Sequence, residues 1–336
     1  MTAKKQMGAA LIGYGPAFNM GRLHGQSLQE QAGIPVVAVC DTDRKRLTAA
    51  QEDFPGIATY TQVSELLQDD KVNLCVIILP HNLHGPVGLQ CLKAGRHVVL
   101  EKPMCITTAE AKAMVDTAKA NKLMLTVFHN RRHDGDFLAL KKAVADGLLG
   151  EIFEVEMWAG GYGAPRGWWR DKKEISGGAF YDWGAHYLDW LLNLIPSPVE
   201  NVTGFFHKLV WKQMTNEDHV QAVIRFQNGV MANVQMSGIA HHSLPRWRVL
   251  GTKGALVSGT EGFEYYTTEN SLHLEGFLKY QESNWGEFYR LVGEHLLKDG
   301  ELEVKPEEAA RVIGIIESAE KSSQSHKAEK LPKWLQ

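Results

Sequence analysis

The feature that most constrains this chain is a regular alternation, over its first 129 residues, of short apolar runs with stretches of helical periodicity. The predicted helices cover residues 21–31, 84–95 and 107–120. The apolar runs occupy residues 9–15, 35–41, 73–80, 97–103 and 122–129. Because a strand covered on both faces reads as a nearly unbroken apolar run, this alternation predicts a doubly wound α/β domain with a parallel sheet over residues 1–125.

A glycine turn follows the first apolar run. Gly13 and Gly15 come shortly before the first predicted helix, where a tight bend lets the backbone approach a pyrophosphate at the positive end of that helix. Phe18 replaces the third glycine of the dinucleotide-binding pattern, and Gly21 comes later, as if about three residues had been inserted. The order of strand, turn and helix still predicts a Rossmann domain that binds NAD(P). The expected cofactor-binding residues of this turn are Gly13, Gly15, Phe18, Asn19 and Met20.

An acidic residue ends the second apolar run. Asp41 follows Gly21 by 20 residues, a spacing at which a carboxylate accepts hydrogen bonds from both ribose hydroxyls of an adenosine. Its charge would repel a 2′-phosphate, so NAD is expected as the cofactor in preference to NADP. The basic residues 44–46 would relax that preference. An alternative is that Asp41 only caps the helix that begins near Asp43.

Two further apolar runs end in polar residues, and ligands of a doubly wound sheet lie beyond such carboxyl ends. Lys102 stands between Glu101 and Pro103, where the proline restrains the backbone and the ammonium group can stabilise an alkoxide. The alternative is a surface lysine paired with Glu101. His81 and His84 either contact the cofactor or cap the next helix. The expected cofactor-binding residues here are Leu79, Pro80, His81, His84, Glu101 and Lys102.

Helical spacing brings three polar side chains together in the segment 176–189. Asp182, His186 and Asp189 stand at i, i+4 and i+7, and they therefore share one helix face. On such a face the imidazole can transfer protons near neutral pH while a carboxylate orients it. The alternatives are a solvated face with an incidental histidine and a metal site. A metal is not expected, because no further histidine or cysteine cluster has ligand spacing.

Aromatic residues are concentrated just before and within this helix. The segment 160–170, which contains glycines and a proline, is predicted to be an irregular substrate loop whose aromatic faces suit a sugar ring and whose arginines suit hydroxyl groups. Core packing is the alternative. It is expected for Trp183 and Trp190, and it is not expected for at least one of Trp168 and Trp169. The expected substrate-binding residues are Tyr162, Trp168, Trp169 and Arg170.

Beyond residue 150 the pattern changes to short alternating segments between turn residues. This pattern predicts an α+β domain over residues 126–336, built on a large, mostly antiparallel open sheet. The helix that carries His186 is expected to pack on one face of this sheet. A last helix is predicted over residues 306–322, with a proline at its start. The expected strands lie at residues 151–158, 200–206, 220–226, 230–236, 247–250 and 255–258.

Composition limits the classes of function. The formal net charge of −3 leaves no basic patch for nucleic acid, and no apolar run has the length needed to span a membrane. The first apolar run has no cleavage signal, so it is predicted to be a strand and not a signal peptide. The four cysteines lack a Cys-x-x-Cys pair and are interpreted as small buried residues of a reducing compartment. A cytoplasmic enzyme is therefore expected.

These residues together resemble the Gfo/Idh/MocA family, named for glucose-fructose oxidoreductase, inositol dehydrogenase and a rhizopine-catabolism protein. The resemblance is carried by the glycine turn, by Asp41, and by the segments 80–84, 101–103, 130–132, 149–152, 177–189 and 251–254. It implies a catalytic group of Lys102, Asp182 and His186, and homodimers or homotetramers that form through the open sheet. It also implies that the final helix packs back near the first domain.

The expected function is that of an NAD-dependent oxidoreductase. It would transfer a hydride between the nicotinamide and a secondary alcohol of a sugar, a sugar derivative or a cyclic polyol. In this hypothesis His186 accepts the hydroxyl proton and Lys102 stabilises the negative charge, although the two roles can be exchanged. Two alternatives are a glycoside hydrolase that retains NAD and returns it unchanged, and a non-catalytic NAD-binding sensor. The presence of Lys102, Asp182 and His186 argues against the sensor.

Overall fold

The computed structural model describes residues 7–336, which form two compact units. The first unit runs up to Asn130 and includes Gly286–Ala310, and the second comprises Arg131–Trp285 and Arg311–Gln336. The strands are β1 (Ala9–Ile12), β2 (Val36–Cys40), β3 (Ala58–Tyr60), β4 (Leu74–Ile77), β5 (His97–Leu100), β6 (Leu125–Val127), β7 (Ile152–Gly160), β8 (Val199–His207), β9 (His219–Phe226), β10 (Met231–Ser237), β11 (Trp247–Gly251), β12 (Ala255–Ser258), β13 (Gly262–Glu269) and β14 (Leu272–Lys279). The α-helices are α1 (Met20–Ser27), α2 (Arg44–Asp53), α3 (Val63–Leu66), α4 (His81–Lys93), α5 (Thr108–Ala120), α6 (Gly135–Ala145), α7 (Lys173–Ser176), α8 (Trp183–Leu194), α9 (Glu287–Lys298) and α10 (Pro306–Ser325). Within the described residues, no helix is both long enough and apolar enough to cross a membrane.

A six-stranded parallel sheet forms the centre of the first unit, in the order β3-β2-β1-β4-β5-β6. Ile12 pairs with Cys40 on one side and with Ile77 on the other, and Ile77 pairs in turn with Leu100. The carboxyl ends of these four strands therefore stand side by side at one edge. The strand order reverses between β1 and β4, which is where sheets of this kind bind ligands. The predicted doubly wound domain is confirmed.

Three elements of the first unit are not predicted from the sequence: β3, the four-residue helix α3, and α9. β3 has three residues, too few for a periodic pattern. α9 comes late in the chain, yet it packs against the turn at Leu28–Ala32, where a Cβ on Gly293 would lie 2.6 Å from the carbonyl oxygen of Ala32. The following helix, α10, begins in the first unit and continues in the second. The division of the chain into two compact units therefore reflects long-range packing as well as sequence order.

The second unit is built on an eight-stranded sheet in the order β14-β13-β12-β11-β7-β10-β9-β8. β7 and β10 pair in parallel, and the other neighbouring strands of this sheet pair antiparallel. The predicted large, mostly antiparallel sheet is confirmed. The hairpin of β13 and β14 is not predicted from the sequence, and β14 is exposed along almost its whole length.

Three aromatic rings form the core around α8. Phe137, Trp190 and Trp247 are fully buried, and their ring centroids lie 5.8, 6.1 and 5.4 Å apart in the three pairs. The core prediction for Trp190 is confirmed. For Trp183 it is wrong, because this side chain is 38% exposed and its ring centroid lies 4.7 Å from the guanidinium of Arg131. Trp183 is the first residue of α8, and side chains lean toward the start of a helix, so it projects past the helix end.

Candidate active site

The glycine turn after β1 is shaped by its contact with the segment after β4. Gly13 has a φ of +97°, which favours glycine, and an added Cβ would lie 2.2 Å from the carbonyl oxygen of Ile78. At Gly15, by contrast, no heavy atom other than those of its chain neighbours lies within 4 Å of the position of a Cβ. The turn is therefore closely packed on the sheet and open at Gly15, which suits the approach of a pyrophosphate.

The residues inserted in this turn form a short 3-10 helix. It covers Ala17–Asn19, and α1 begins directly after it at Met20. Phe18 and Asn19 have φ angles of 59° and 52°, and such left-handed backbone is unusual for a phenylalanine. The side chain of Phe18 is 63% exposed. The insertion thus adds one tight turn of backbone directly before α1.

Asp41 connects the end of β2 to the glycine turn. Its Oδ2 accepts a hydrogen bond from the backbone N–H of Tyr14 at 2.7 Å, and its Oδ1 accepts one from the backbone N–H of Asp43 at 2.9 Å. The residue that caps α2 is Asp43, whose side chain accepts from the N–H of Lys45. The capping alternative for Asp41 is therefore wrong. Each carboxylate oxygen of Asp41 has a second lone pair, which suits a ribose hydroxyl.

A buried histidine joins the segments that follow β4 and β5. His84 places its Nδ1 2.7 Å from the carbonyl oxygen of Pro103, and its Nε2 2.8 Å from that of Leu79. Burial lowers the pKa of His84, although both carbonyl groups favour the charged form. His81 is the first residue of α4 and is also buried. These contacts keep the two strand-end segments, each of which carries predicted cofactor-binding residues, next to each other.

Asn82 is a candidate that the sequence reasoning missed. Its Oδ1 is buried and has no hydrogen-bond partner among residues 7–336. Buried polar atoms are usually satisfied, so an acceptor of this kind at the carboxyl end of a parallel strand suits a donor on a bound ligand. The available signal was its position between the predicted residues His81 and His84.

Glu101 and Lys102 follow β5 directly. Oε1 of Glu101 lies 3.0 Å from Nε2 of His24, and Oε2 accepts a hydrogen bond from the backbone N–H of Lys102 at 2.9 Å. Burial by itself raises the pKa of Glu101, but the hydrogen bond and charge interaction with His24, together with the charge and N–H of Lys102, lower it overall. Glu101 is therefore a carboxylate at neutral pH. Lys102 is half-buried, and its charge contributes to the lowered pKa of Glu101.

α8 arranges its three polar residues differently from the predicted single face. Asp182 precedes the helix and has a non-helical ψ of −84°. His186 and Asp189 lie within the helix and are buried. Asp189 forms a two-pronged ion pair with Arg132, with distances of 2.9 Å from Oδ2 to Nε and 2.6 Å from Oδ1 to Nη2. Asp189 is therefore a structural anchor, and the proton-transfer hypothesis depends on Asp182 and His186.

His186 lies beside two indole rings of its own helix. Its ring centroid is 5.7 Å from that of Trp183 and 6.5 Å from that of Trp190. Asp182 is 3.8 Å from the guanidinium of Arg170, measured from Oδ2 to Nε. The start of α8 is thereby tied to the predicted substrate loop, and the imidazole lies beside aromatic rings of its own helix.

The predicted substrate loop holds an arginine over two indole rings. Arg170 places its guanidinium carbon 4.6 Å from the ring centroid of Trp168 and 4.3 Å from that of Trp169. Both tryptophans are half-buried, so the prediction that at least one of them lies outside the core is confirmed. Tyr162 is 50% exposed and stacks on His241 with centroids 4.1 Å apart. The loop therefore presents flat aromatic faces beside a fixed cation.

Two polar residues that sequence reasoning missed hold this loop in place. Asp171 accepts hydrogen bonds from the backbone N–H groups of Gly167 and Trp168, at 2.6 and 3.1 Å. Asn216 donates from Nδ2 to the carbonyl oxygen of Arg170 at 2.6 Å. The glycine-rich sequence predicted an irregular segment, but these contacts give it one defined conformation.

Two family models match separate parts of the chain, one within each compact unit. A family model described as "Oxidoreductase family, NAD-binding Rossmann fold" matches residues 7–129. A second, described as "GFO/IDH/MocA C-terminal domain", matches residues 137–257. The first covers the parallel sheet with the glycine turn, and the second covers α6, the substrate loop, α8 and the sheet up to β12.

Individual relatives are similar over most of their length. An uncharacterised oxidoreductase of Schizosaccharomyces pombe is 32% identical over 315 residues, which is 82% of this chain and 85% of the relative. The Bacillus subtilis protein named scyllo-inositol 2-dehydrogenase (NADP(+)) is 27% identical, over 83% of this chain and 84% of its own. The crystal structure of an NAD-binding protein from Listeria innocua superimposes with a TM-score of 0.84 at 29% identity, and the match covers 96% of each chain.

The buried pair of Arg132 and Asp189 leads to a prediction about stability. Asp189→Asn leaves the buried guanidinium without a counter-charge, so we expect the free energy of unfolding to fall by about 3 kcal/mol. The measurement is guanidinium chloride unfolding followed by tryptophan fluorescence. The matched control is Asp146→Asn, which breaks an exposed pair with Lys142 and should cost at most about 1 kcal/mol. Equal losses in the two variants would contradict a structural role for the buried pair.

Proposed function

Because this chain belongs to the GFO/IDH/MocA family of NAD(P)-binding oxidoreductases, we propose that it transfers a hydride between NAD and a secondary alcohol of a sugar, a sugar derivative or a cyclic polyol. The observation that carries the proposal is the register of the parallel sheet. Ile12, Ile77 and Leu100 are aligned, so the glycine turn and Lys102 emerge at the same edge. A dinucleotide-binding turn and a cationic side chain at one edge suit hydride transfer at a polarised oxygen.

The cofactor assignment is supported by the shape and charge of the first unit. The open side of the turn at Gly15 gives room for a pyrophosphate, and Asp41 offers acceptors to a ribose. The buried Oδ1 of Asn82 offers another acceptor at the same edge of the sheet. A bound nicotinamide ring would supply or accept the hydride.

The chemical step is assigned to His186 and Lys102. His186 accepts the proton of the substrate hydroxyl, since an imidazole titrates close to neutral pH and can act as a general base. Lys102 stabilises the negative charge that develops on the same oxygen. Asp182, with its partner Arg170, orients the imidazole or binds a neighbouring hydroxyl. The substrate ring lies against Trp168, Trp169 or Tyr162, and Arg170 donates to its hydroxyl groups.

Assembly and location belong to the same proposal. The face of the large sheet opposite the buried side chains of β10 carries Phe205, Met231, Tyr266 and Phe277, all of them exposed. We propose that this face forms a homodimer or homotetramer, since aromatic side chains and methionine are enriched at protein interfaces. The four buried, unbridged cysteines agree with a reducing, cytoplasmic location.

A substrate screen tests the proposed activity. The protein is incubated with inositols, free sugars and glycosides, and both the reduced dinucleotide and the product are quantified. We expect the reduced dinucleotide to accumulate in proportion to the product formed from a free polyol or sugar. Cleavage of a glycoside without net reduction would instead identify a hydrolase that retains its cofactor. Tight dinucleotide binding without turnover of any compound would identify a sensor.

Asp41 sets the expected choice of dinucleotide. The wild-type protein should bind NAD(H) more tightly than NADP(H) in titration calorimetry, because the carboxylate repels a 2′-phosphate. Asp41→Ala should reduce the difference between the two affinities, even if both become weaker through loss of the contact with Tyr14. Asp43→Ala is the matched control, because it removes the cap of α2 and should leave the ratio unchanged. Equal affinities for NAD(H) and NADP(H) in the wild type would refute this role of Asp41. The comparison is informative because the name of the Bacillus subtilis relative specifies NADP(+).

His186 is expected to act in the chemical step. His186→Ala should lower kcat by about 100-fold or more, the usual scale for a positioned acid or base, while the dissociation constant of the dinucleotide changes little. His326→Ala, at an exposed position directly after α10, is the matched control and should keep normal kcat. An unchanged kcat with a raised KM in the His186 variant would instead assign this residue to substrate positioning.

A further inference from the structure

A buried chain of hydrogen bonds leads from α9 to the backbone of Lys102. The hydroxyl of Tyr289 lies 2.6 Å from Nδ1 of His24, and Nε2 of the same ring lies 3.0 Å from Oε1 of Glu101. The second oxygen of Glu101 accepts the backbone N–H of Lys102 at 2.9 Å. All four residues belong to the first unit.

The members of this chain come from elements that are distant in sequence. His24 is on α1, Glu101 follows β5 and Tyr289 is on α9. His24 and Tyr289 have no exposed surface, and the side chain of Glu101 is 14% exposed. The ring of Phe128 packs on His24 with centroids 4.4 Å apart. The imidazole therefore has very little freedom to rotate away from its two partners.

The protonation states fit one direction of hydrogen bonding at Glu101. Glu101 is a carboxylate, so Nε2 of His24 carries a proton and donates to it whether the imidazole is neutral or charged. Burial, with the charge of Glu101, raises the pKa of Tyr289 well above its usual value, so its side chain stays a neutral phenol. A phenol can donate to Nδ1 of a neutral imidazole or accept from a charged one. Tyr289 thus satisfies Nδ1 in both states and keeps Nε2 directed at Glu101.

We propose that His24 and Tyr289 are positioning residues that hold Glu101, and through it the backbone of Lys102, in the place that hydride transfer requires. This inference rests on the function proposed for Lys102. A residue that orients the groups around a reactive side chain commonly affects turnover without touching the substrate. His24 and Tyr289 reach Lys102 only through the carboxylate of Glu101 in the contacts described, so their effect should depend on a donor at the position of Nε2.

Paired substitutions at His24 separate positioning from packing. The amide of a glutamine reaches about as far as Nε2, whereas that of an asparagine ends near Nδ1. His24→Gln therefore keeps a donor for Glu101, and His24→Asn loses it. The matched control is His97→Asn, because His97 begins β5, the strand that Glu101 follows, at the opposite end, and its Nδ1 accepts a hydrogen bond from the backbone N–H of Met124.

The readouts are kcat at saturating dinucleotide and substrate, the dissociation constant of the dinucleotide, and hydrogen exchange at the backbone N–H of Lys102. His24→Asn should lower kcat by about tenfold and speed the exchange, with dinucleotide affinity within about twofold of the wild type. His24→Gln should recover most of the lost kcat. His97→Asn should change neither kcat nor the exchange at Lys102.

Four results decide against the inference or against its premise. Wild-type kcat in His24→Asn, with turnover lost in Lys102→Met, would overturn the inference and leave the proposed function standing. If the wild type turns over no substrate, the proposed function fails, and unchanged exchange at Lys102 in His24→Asn would overturn the positioning role as well. If His24→Asn does not fold, Tyr289→Phe replaces it, since only a hydroxyl is removed, and a wild-type kcat in that variant would overturn the inference.

Discussion

The parallel register of β1, β4 and β5 is the constraint on which the candidate site of the first unit depends. Ile12, Ile77 and Leu100 are aligned, so Gly13 and Glu101 leave the sheet at the same edge. A shift of two residues in one strand would displace its end by about 6.6 Å, more than the length of a hydrogen bond. Gly13 strengthens this register, because its lack of a Cβ permits the close approach to Ile78. The register of the sheet therefore determines where the backbone of Lys102 lies.

Buried charge is the second constraint, and in each unit a carboxylate is paired with a specific side chain. Glu101 is held by His24 and by the backbone of Lys102, and Asp189 is held by Arg132. Removing one partner of such a pair leaves a charge without solvent, which costs several kcal/mol. These pairs therefore permit few alternative arrangements of the chain around them. As a consequence, the backbone around Lys102 in one unit and around His186 in the other is held in one arrangement.

The segment before α8 shows how polar contacts give a glycine-rich loop a defined shape. Asp171 binds two backbone N–H groups of the loop, and Asn216 binds the carbonyl oxygen of Arg170. Arg170 is held over two indole rings and near Asp182, so its guanidinium group has a defined position and is not a freely rotating surface side chain. Preorganisation of this kind lowers the entropy lost when a ligand binds. It is suited to a ligand with a flat face and hydroxyl groups.

The sequence by itself determined the two sheet types, the glycine turn and the strand-end residues Asp41 and Lys102, because each of these follows from a local pattern of a few neighbouring residues. It also located the inserted residues of the turn. The tertiary structure alone decided which polar groups meet. Tyr289 stands 265 residues from His24, and Arg132 stands 57 residues from Asp189. It likewise decided that Asp189 is an anchor and that Trp183 is exposed. A periodic pattern shows which residues share a face, but what covers that face depends on residues brought from far along the chain.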